Sequence, residues 1–465
     1  MKRIRTDICV IGAGSGGLTV AAGAAQLGAS VVLVEGAEMG GDCLNHGCVP
    51  SKTLIAAARR AHVLAEAGAV PGQNMAEVAD RIQAVIAAIA PMDSQERFEG
   101  LGVIVIRDWG RFVSKTELEA GGCVITARRF VVATGSSPVV PPIPGLAEVP
   151  FLTNETVFAL RETPRHLLVI GGGPIGLELA QAHRRLGAEV TVIEAGKALG
   201  REDPEAAAVV LEKLRTEGVD VREGAAAQRV SREGDDILLH LEGETLRGSH
   251  LLVAVGRAPN LERLNLKAAG VAHERTGITT DSRLRSSNRR ILAVGDVAGR
   301  GQFTHLANHH AGLVVRRAVL GLPVRLRDDH VPRVTYTNPE LAQVGLTEAE
   351  ARKAHGASVT VLRLPYADND RARAEGQETG FLKLVVRRGR PIGVTIVGAQ
   401  AGELIALWSF MISSRARLSA LSGTVLPYPT LSELSKRAAG AYFSPKLFDN
   451  GLVRRIVGIV QRLLP

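Results

Sequence analysis

Asp7-Ile-Cys-Val-Ile-Gly12-Ala-Gly14-Ser-Gly-Gly17 is the stretch on which the fold turns. Its four apolar residues read as a short buried strand. A glycine turn follows, then an Ala-rich helix over 18–27, then a second strand over 30–34 that stops at Glu35. This is a βαβ unit with Gly-x-Gly-x-x-Gly in its first turn. Gly12 permits the tight turn, Gly14 lets a pyrophosphate approach the backbone at the helix N-terminus, and Gly17 lets helix and strand pack closely. Glu35, at the end of the second strand, is placed to accept hydrogen bonds from both ribose hydroxyls of an adenosine.

The same unit recurs about 160 residues later. His166-Leu-Leu-Val-Ile-Gly171-Gly-Gly173-Pro-Ile-Gly176 leads into a helix over 177–186 and a strand over 189–193 that ends at Glu194. One such turn can exist without a ligand; two full copies, each with its acid, imply two dinucleotides. The economical pair is FAD with a nicotinamide nucleotide. Glu194 favours free 2′- and 3′-hydroxyls and repels a 2′-phosphate, so NADH is expected over NADPH. Lys197 and Arg201 lie nearby and soften that preference.

A chain of 465 residues exceeds what a single core sustains, and several packed domains are expected. Hydrophobic residues are 46% and charged residues 22%, which excludes a disordered or collagenous chain. The net charge is +9, but the basic residues are spread along the chain and aromatics are only 3%, so an Arg-rich solvated surface is the reading, not a nucleic-acid site. No apolar run approaches a membrane span of about 18 residues. The basic start, Met1-Lys-Arg-Ile-Arg, runs quickly into Gly12 and is too glycine-broken for a signal peptide, so a cytoplasmic protein is expected.

Between the two units the pattern predicts a helical stretch over 50–97 and strands over 102–106, 111–112, 123–126 and 130–133. A strand-rich region over 228–255 has a hairpin turn at Glu233-Gly-Asp-Asp. Pro141-Pro-Ile-Pro-Gly145 marks the exit from the first domain. From Val331 the pattern changes to strands over 333–336, 359–364 and 381–386, with helices over 403–414 and 431–439. This reads as a separate α+β domain.

The chain has four cysteines, which is no secreted disulfide framework. Cys9 and Cys123 lie in apolar, strand-like stretches and are expected to be buried and inert. Cys43 and Cys48 lie in Gly40-Gly41-Asp-Cys43-Leu-Asn-His-Gly47-Cys48-Val-Pro50-Ser-Lys52, at the start of a helix. An irregular start, which the glycine allows, brings the two within disulfide range. A helix N-terminus lowers a thiol pKa, so a thiolate is available near neutrality. A dithiol beside a flavin can take its electrons as a pair and pass them on by exchange. Metal ligation would need two further ligands, and the sequence offers no second Cys pair or tight His pair, so no resident metal is expected.

On these residues the chain resembles the class I pyridine nucleotide–disulfide oxidoreductases: dihydrolipoamide dehydrogenase, glutathione reductase and mercuric reductase. Further matching segments are Ala133-Thr134-Gly135-Ser136, Gly256-Arg257-Ala-Pro259-Asn260, Ala293-Val-Gly295-Asp296, and Val331-Pro-Arg-Val-Thr-Tyr-Thr-Asn-Pro339-Glu340. The resemblance implies two Rossmann-like domains, for FAD and NAD, with a C-terminal α+β dimerisation domain. The bounds it suggests are 1–147 and 260–328 for the FAD domain, 148–259 for the NAD domain and 329–465 for dimerisation. It implies a homodimer in which the last domain completes the partner's active site. Thr134, Gly135 and Asp296 then belong to the FAD site and Gly256 to the NAD site. Cys48 matches the thiol against the flavin ring, which forms the charge-transfer thiolate on reduction. Cys43 matches the interchange thiol that meets the substrate. Lys52 and Glu178 match a pair at the flavin N5 edge; the plainer reading is a helix–helix salt bridge.

The C-terminal segment departs from part of the family. In Leu426-Pro-Tyr428-Pro429-Thr-Leu-Ser-Glu433, Tyr428 stands where dihydrolipoamide dehydrogenase and glutathione reductase have a His oriented by the Glu. A phenol with a pKa near 10 is a poor base at pH 7. Mercuric reductases resemble this chain here, yet they carry a C-terminal cysteine pair, and the last cysteine of this chain is Cys123. The expected function is therefore an NADH-dependent flavoenzyme passing electrons through Cys43 and Cys48 to a small-molecule or metal-ion acceptor, most like mercuric reductase. The alternative is a dihydrolipoamide dehydrogenase-like dithiol oxidoreductase. The rival of another class is a flavin-binding or membrane-peripheral partner without turnover, which would have no need of Cys43, Cys48, Lys52 and Glu178. On the helix expected after Asp296, packing or surface roles are the reading for His305, His309 and His310. The tail over 450–464 alternates Arg with Ile, Val and Leu at helical spacing. A helix docked on the dimer is the preferred reading, and one lying on a membrane surface is the other.

Overall fold

Strand Lys2–Ile11 founds a largely parallel sheet. It pairs with Val31–Val34 on one side and with Cys123–Val132 on the other, and Ile104–Ile106 lies beyond Val31–Val34. Ile8 to Ile11 and Val31 to Val34 are all buried, as a parallel sheet covered on both faces requires. Cys123–Val132 is one ten-residue strand where the sequence predicts two. Arg128 and Arg129 break the apolar pattern, but they are exposed and their backbone stays in register with the first strand. The first half of this strand pairs with Glu117–Ala120, a strand the sequence reading lacks. Its last three residues pair with Ile291–Ala293, so the chain returns to the first sheet after the second nucleotide unit.

The computed structural model describes residues 1–68 and 74–464; positions 69–73 of the predicted helical stretch, and Pro465 at the end of the tail, lie outside the described residues. The chain divides into two compact units, Met1–Ala195 with Gly218–Arg327, and Gly196–Glu217 with Asp328–Pro465. The helices over the described part of 50–97 are Cys48–Glu66, Met75–Ile89 and Gln95–Gly100. The first unit also holds the second nucleotide sheet, in the parallel order Val219–Glu223, Glu189–Glu194, His166–Ile170, His250–Val253. Beside it Arg229–Glu233, Asp236–His240 and Thr245–Gly248 form an antiparallel sheet, with Glu233 opposite Asp236 at the predicted hairpin. Cys9 is buried as expected. Cys123 is only half-buried, because it opens its strand beside the turn at Gly121 and Gly122.

The second unit is built on an antiparallel sheet in the order Arg333–Thr335, Glu340–Gly345, Arg390–Gly398, Phe381–Arg387, Val359–Pro365. Helices Ala401–Ser413 and Glu433–Ala441 contribute to its core around the fully buried Trp408, whose indole N–H donates to Ser435 Oγ at 3.0 Å. Two of the five strands are missing from the sequence reading. Glu340–Gly345 buries Gln343 in its middle, and Arg390–Gly398 contains a Pro and two glycines that read as a turn. Helix Pro204–Thr216 is grouped with this unit. The buried Lys383 holds it there. The Lys383 ammonium meets the carboxylates of Asp203 and Glu205 at 2.9 Å and of Glu348 at 3.5 Å, and Asp203 caps the helix. Removing one partner of such a cluster leaves an uncompensated buried charge. Among the described residues no helix is long and apolar enough to cross a membrane.

Candidate active site

The two glycine turns are built alike. A Cβ on Gly12 would lie 2.4 Å from the Ala133 carbonyl oxygen, and one on Gly171 would lie 2.4 Å from that of Ala254. Gly17 and Gly176 press against their own turns, where a Cβ would lie 1.9 and 2.0 Å from the carbonyl oxygens of Gly12 and Gly171. The middle glycines are different. At Gly14 the nearest atom to an added Cβ is 4.0 Å away, and at Gly173 none lies within 4 Å. The open space therefore lies at the N-termini of helices Ser15–Gln26 and Pro174–Arg185, where backbone N–H groups point at an incoming anion. Glu35 is buried and accepts from the N–H groups of Ala13 at 2.5 Å and Ala37 at 2.6 Å; Glu194 accepts from Gly172 N–H at 2.8 Å. These cradles fit two dinucleotides.

Thr134 and Gly135 are tied to Asn260. The Thr134 hydroxyl donates to the Asn260 carbonyl at 2.8 Å, and Asn260 N–H donates to the Gly135 carbonyl at 3.0 Å. Gly256, at φ +123°, ends the run after His250–Val253, with nothing within 4 Å of an added Cβ. Asp296 accepts from Ser136 Oγ at 2.6 Å, and burial raises its pKa above the ordinary carboxyl value. A carboxyl held there is suited to the hydroxyl-rich part of a flavin nucleotide. The loop before Asp296 is braced by His310, which is fully buried and accepts from Gly295 N–H through Nδ1 at 3.2 Å. Burial pushes the His310 pKa down to about 4, so it is neutral at pH 7 and acts in packing, as expected.

The cysteine pair is set by a broken helix. Cys43 lies in the short helix Gly41–Asn45, entered through Gly40 at φ +86°; Cys48 is the first residue of the long helix Cys48–Glu66. Cys48 therefore stands at the head of the long helix and receives its N-terminal field, whereas Cys43 sits in a helix of only five residues. Both thiols are free. A hydrogen bond from Cys43 pushes the Cys48 pKa down to about 6, aided by Thr304, 3.3 Å from its sulfur, and by the charge of Lys52 one turn on. The same contact, with burial, pushes Cys43 upward. The pair thus ionises as one thiolate, Cys48, beside one thiol, Cys43. Lys52 Nζ donates to the buried Glu178 at 2.8 Å, joining helix Cys48–Glu66 to helix Pro174–Arg185 of the second turn. A cavity of about 450 Å³ opens beside Cys48, with Lys52, Arg60 and Arg81 among its lining residues.

A network that sequence reasoning missed holds the Cys43 helix. The Arg257 guanidinium, its side chain only 10% exposed, pairs with Asp42 at 2.9 Å and donates to the Ser136 carbonyl at 2.6 Å and to Asn154 Oδ1 at 3.1 Å. Asn154 in turn donates to Asp42 at 3.2 Å and to the His46 carbonyl at 3.1 Å. Only the Gly256-Arg257 motif hinted at this, and nothing in the sequence pointed to Asn154 or Thr304.

Tyr428 and Glu433 lie in the other unit. Tyr428 is exposed, and its hydroxyl donates to Asp370 at 2.9 Å. That carboxylate raises the phenol pKa, which makes Tyr428 a still poorer base at neutral pH. Glu433 is the half-buried first residue of helix Glu433–Ala441.

Comparison with known proteins places this geometry. The model for "Pyridine nucleotide-disulphide oxidoreductase" matches residues 6–311, and the model for that family's dimerisation domain matches residues 331–439. A mercuric reductase of Streptomyces lividans is 35% identical, over 94% of this chain and 96% of its own. A dihydrolipoyl dehydrogenase of Thermus scotoductus is 39% identical, over 94% and 97%. The Cu(II) complex of RclA, an HOCl-induced flavoprotein disulfide reductase from Escherichia coli, is similar at a TM-score of 0.85 and 31% identity, over 93% of this chain and 99% of that one.

Proposed function

The chain belongs to the pyridine nucleotide–disulfide oxidoreductases and is an FAD- and NAD(H)-dependent enzyme of that family, and on this premise we propose that it passes electrons from NADH through Cys48 and Cys43 to a thiophilic metal ion. The observation that carries this reading is the pairing of a thiolate-forming Cys48 with a Tyr428 that cannot take a proton at pH 7. Oxidation of a dithiol substrate requires a base for its thiol proton. Reduction of a metal ion requires soft thiolate ligands and electrons, and no such base. The mercuric reductase relative and the Cu(II)-bound RclA support the metal acceptor.

FAD, when bound, would supply the two-electron relay between the nicotinamide and the Cys43–Cys48 disulfide. Gly12, Gly14, Gly17, Glu35, Thr134, Gly135 and Asp296 would hold it; Gly171, Gly173, Gly176, Glu194 and Gly256 would hold the nicotinamide nucleotide, with Glu194 favouring NADH. Lys52, held by Glu178, places a cation where negative charge builds up on reduction. Two electrons and one proton convert the disulfide into the Cys48 thiolate and the Cys43 thiol. Cys43 faces the acceptor; on metal binding its thiol proton leaves to solvent, both sulfurs hold the soft metal ion, and the ion takes the electron pair as the Cys43–Cys48 disulfide re-forms. The dimerisation domain supports a homodimer. In it Tyr428 and Glu433 of one protomer would approach Cys43 of its partner. The domain bounds 1–147 with 260–328, 148–259 and 329–465, and a cytoplasmic location, are part of the proposal.

The second reading, dithiol–disulfide exchange like that of dihydrolipoamide dehydrogenase, draws support from the dihydrolipoyl dehydrogenase relative. An anaerobic NADH titration followed by a panel of Hg(II) with excess thiol, Cu(II), lipoamide and oxidised glutathione separates the two. Metal-dependent NADH oxidation supports the proposal; turnover with lipoamide alone replaces it with the second reading.

A further inference from the structure

The C-terminal helix Gly451–Leu463 has no role in the reaction above and lies beyond the matched dimerisation domain, which ends at 439. Asn450 caps it through a hydrogen bond from Leu452 N–H at 2.9 Å. None of its residues is buried, and Leu452, Ile456, Val457, Ile459 and Leu463 are each at least half exposed. At 100° per residue, Leu452, Ile456, Ile459 and Leu463 stack on one face, flanked by Val453 and Val460. Arg454, Arg455 and Arg462, with Gln461 and Gly458, fill the opposite face. The segment 450–465 contains no Asp or Glu. The preceding turn adds exposed Leu447 and Phe448 beside Lys446.

We propose that this helix lies flat on an anionic lipid surface, its apolar face among the acyl chains and its arginines among the headgroups. Charge decides for this occupant. The polar face carries cations alone, and the whole chain carries +9, so an anionic surface complements both. A second copy docked helix against helix would cover the apolar face but set Arg454, Arg455 and Arg462 against their own copies, with no Asp or Glu in the segment to offset them. One such helix binds a bilayer weakly, whereas a homodimer presents two, and the second engages at high effective concentration. The inference requires the dimer of the family, but neither the metal nor the dithiol acceptor.

The test is flotation of the full-length FAD-loaded protein with phosphatidylcholine vesicles, with and without roughly one-third phosphatidylglycerol. The proposal expects flotation with the anionic vesicles only, and at least about tenfold less bound protein once salt shortens the screening length. The triple variant Arg454→Gln, Arg455→Gln, Arg462→Gln loses most of the binding, and so does a chain ending at Asp449. Both keep the FAD content and, by light scattering, the dimer mass of the parent. No flotation with anionic vesicles, or equal flotation with neutral ones, overturns the proposal. Loss of the dimer on truncation, with no vesicle binding by the parent, assigns the face to a second copy instead. Vesicle binding is read independently of turnover, so failure of the metal-reductase reading leaves this test intact.

Discussion

The segment Cys43–Lys52 and the segment Tyr428–Glu433 are the two parts of the chain that the proposed reaction brings into play, and they differ in how far their surroundings prepare them. Around Cys48 the preparation is complete. A helix N-terminus, a thiol donor, Thr304 and Lys52 all favour the thiolate, and Glu178 fixes Lys52. Around Tyr428 it runs the other way, since Asp370 takes the hydroxyl proton in a hydrogen bond and makes it harder to remove. On the proposed mechanism, Cys48 and Lys52 serve electron delivery, while Tyr428 accepts no proton. The acceptor that fits this combination is one that binds thiolates and releases no thiol proton to a base.

The comparison breaks first at Cys48. Cys48→Ser is expected to lower NADH-driven acceptor reduction by about three orders of magnitude or more, because the acceptor then meets no electron-carrying sulfur pair. FAD content stays, and the long-wavelength absorbance between thiolate and flavin disappears; a retained band contradicts the assignment. Lys52→Met is expected next, with a loss of roughly 10²-fold for a group that stabilises developing charge. The same variant shifts the pH profile of Cys48 alkylation. In the parent, alkylation of the reduced enzyme rises with pH through a midpoint of about 6, and without the Lys52 charge the midpoint moves upward by roughly a unit. The sign for stability follows. A thiol whose pKa falls on folding stabilises the fold above its ordinary value and loses that contribution as pH falls through about 6.

Tyr428 sharpens the comparison from the other side. Tyr428→His restores a base of suitable pKa, and dihydrolipoamide oxidation should rise by about tenfold or more while metal-ion reduction stays level. Tyr428→Phe is the smallest effect, a change in metal-ion reduction within roughly threefold, because the phenol transfers no proton. A large loss in that variant would make the hydroxyl a participant.

Both glycine turns, the acids that end their second strands and the thiol pair were legible in the sequence, because each rests on residues at short spacing or in a repeated unit; the Lys52–Glu178 contact, 126 positions apart, was implied only by the family resemblance. What was not legible depends on residues far apart in the chain. Arg257 reaches Asp42 and Asn154 across 215 and 103 positions, and no local pattern announces such a contact. The break between the Cys43 helix and the Cys48 helix was expected only as an irregular start, and it places Cys48 at the head of the long helix within reach of Thr304. Strand Arg390–Gly398 was hidden by its Pro and glycines, and Glu340–Gly345 by the buried Gln343, whose partner is Thr395 on the neighbouring strand. Asp370, which decides the character of Tyr428, lies 58 positions away on a short helix.

Side-by-side NADH oxidation by the parent enzyme, with Hg(II) buffered by excess thiol in one series and lipoamide in the other, decides between a metal-ion and a dithiol partner for Cys43 and Cys48. Saturable metal-dependent turnover is expected, abolished by Cys48→Ser and nearly unchanged by Tyr428→Phe, with lipoamide turnover far slower. Rapid lipoamide turnover, with none in the metal series, would contradict the metal-ion reading.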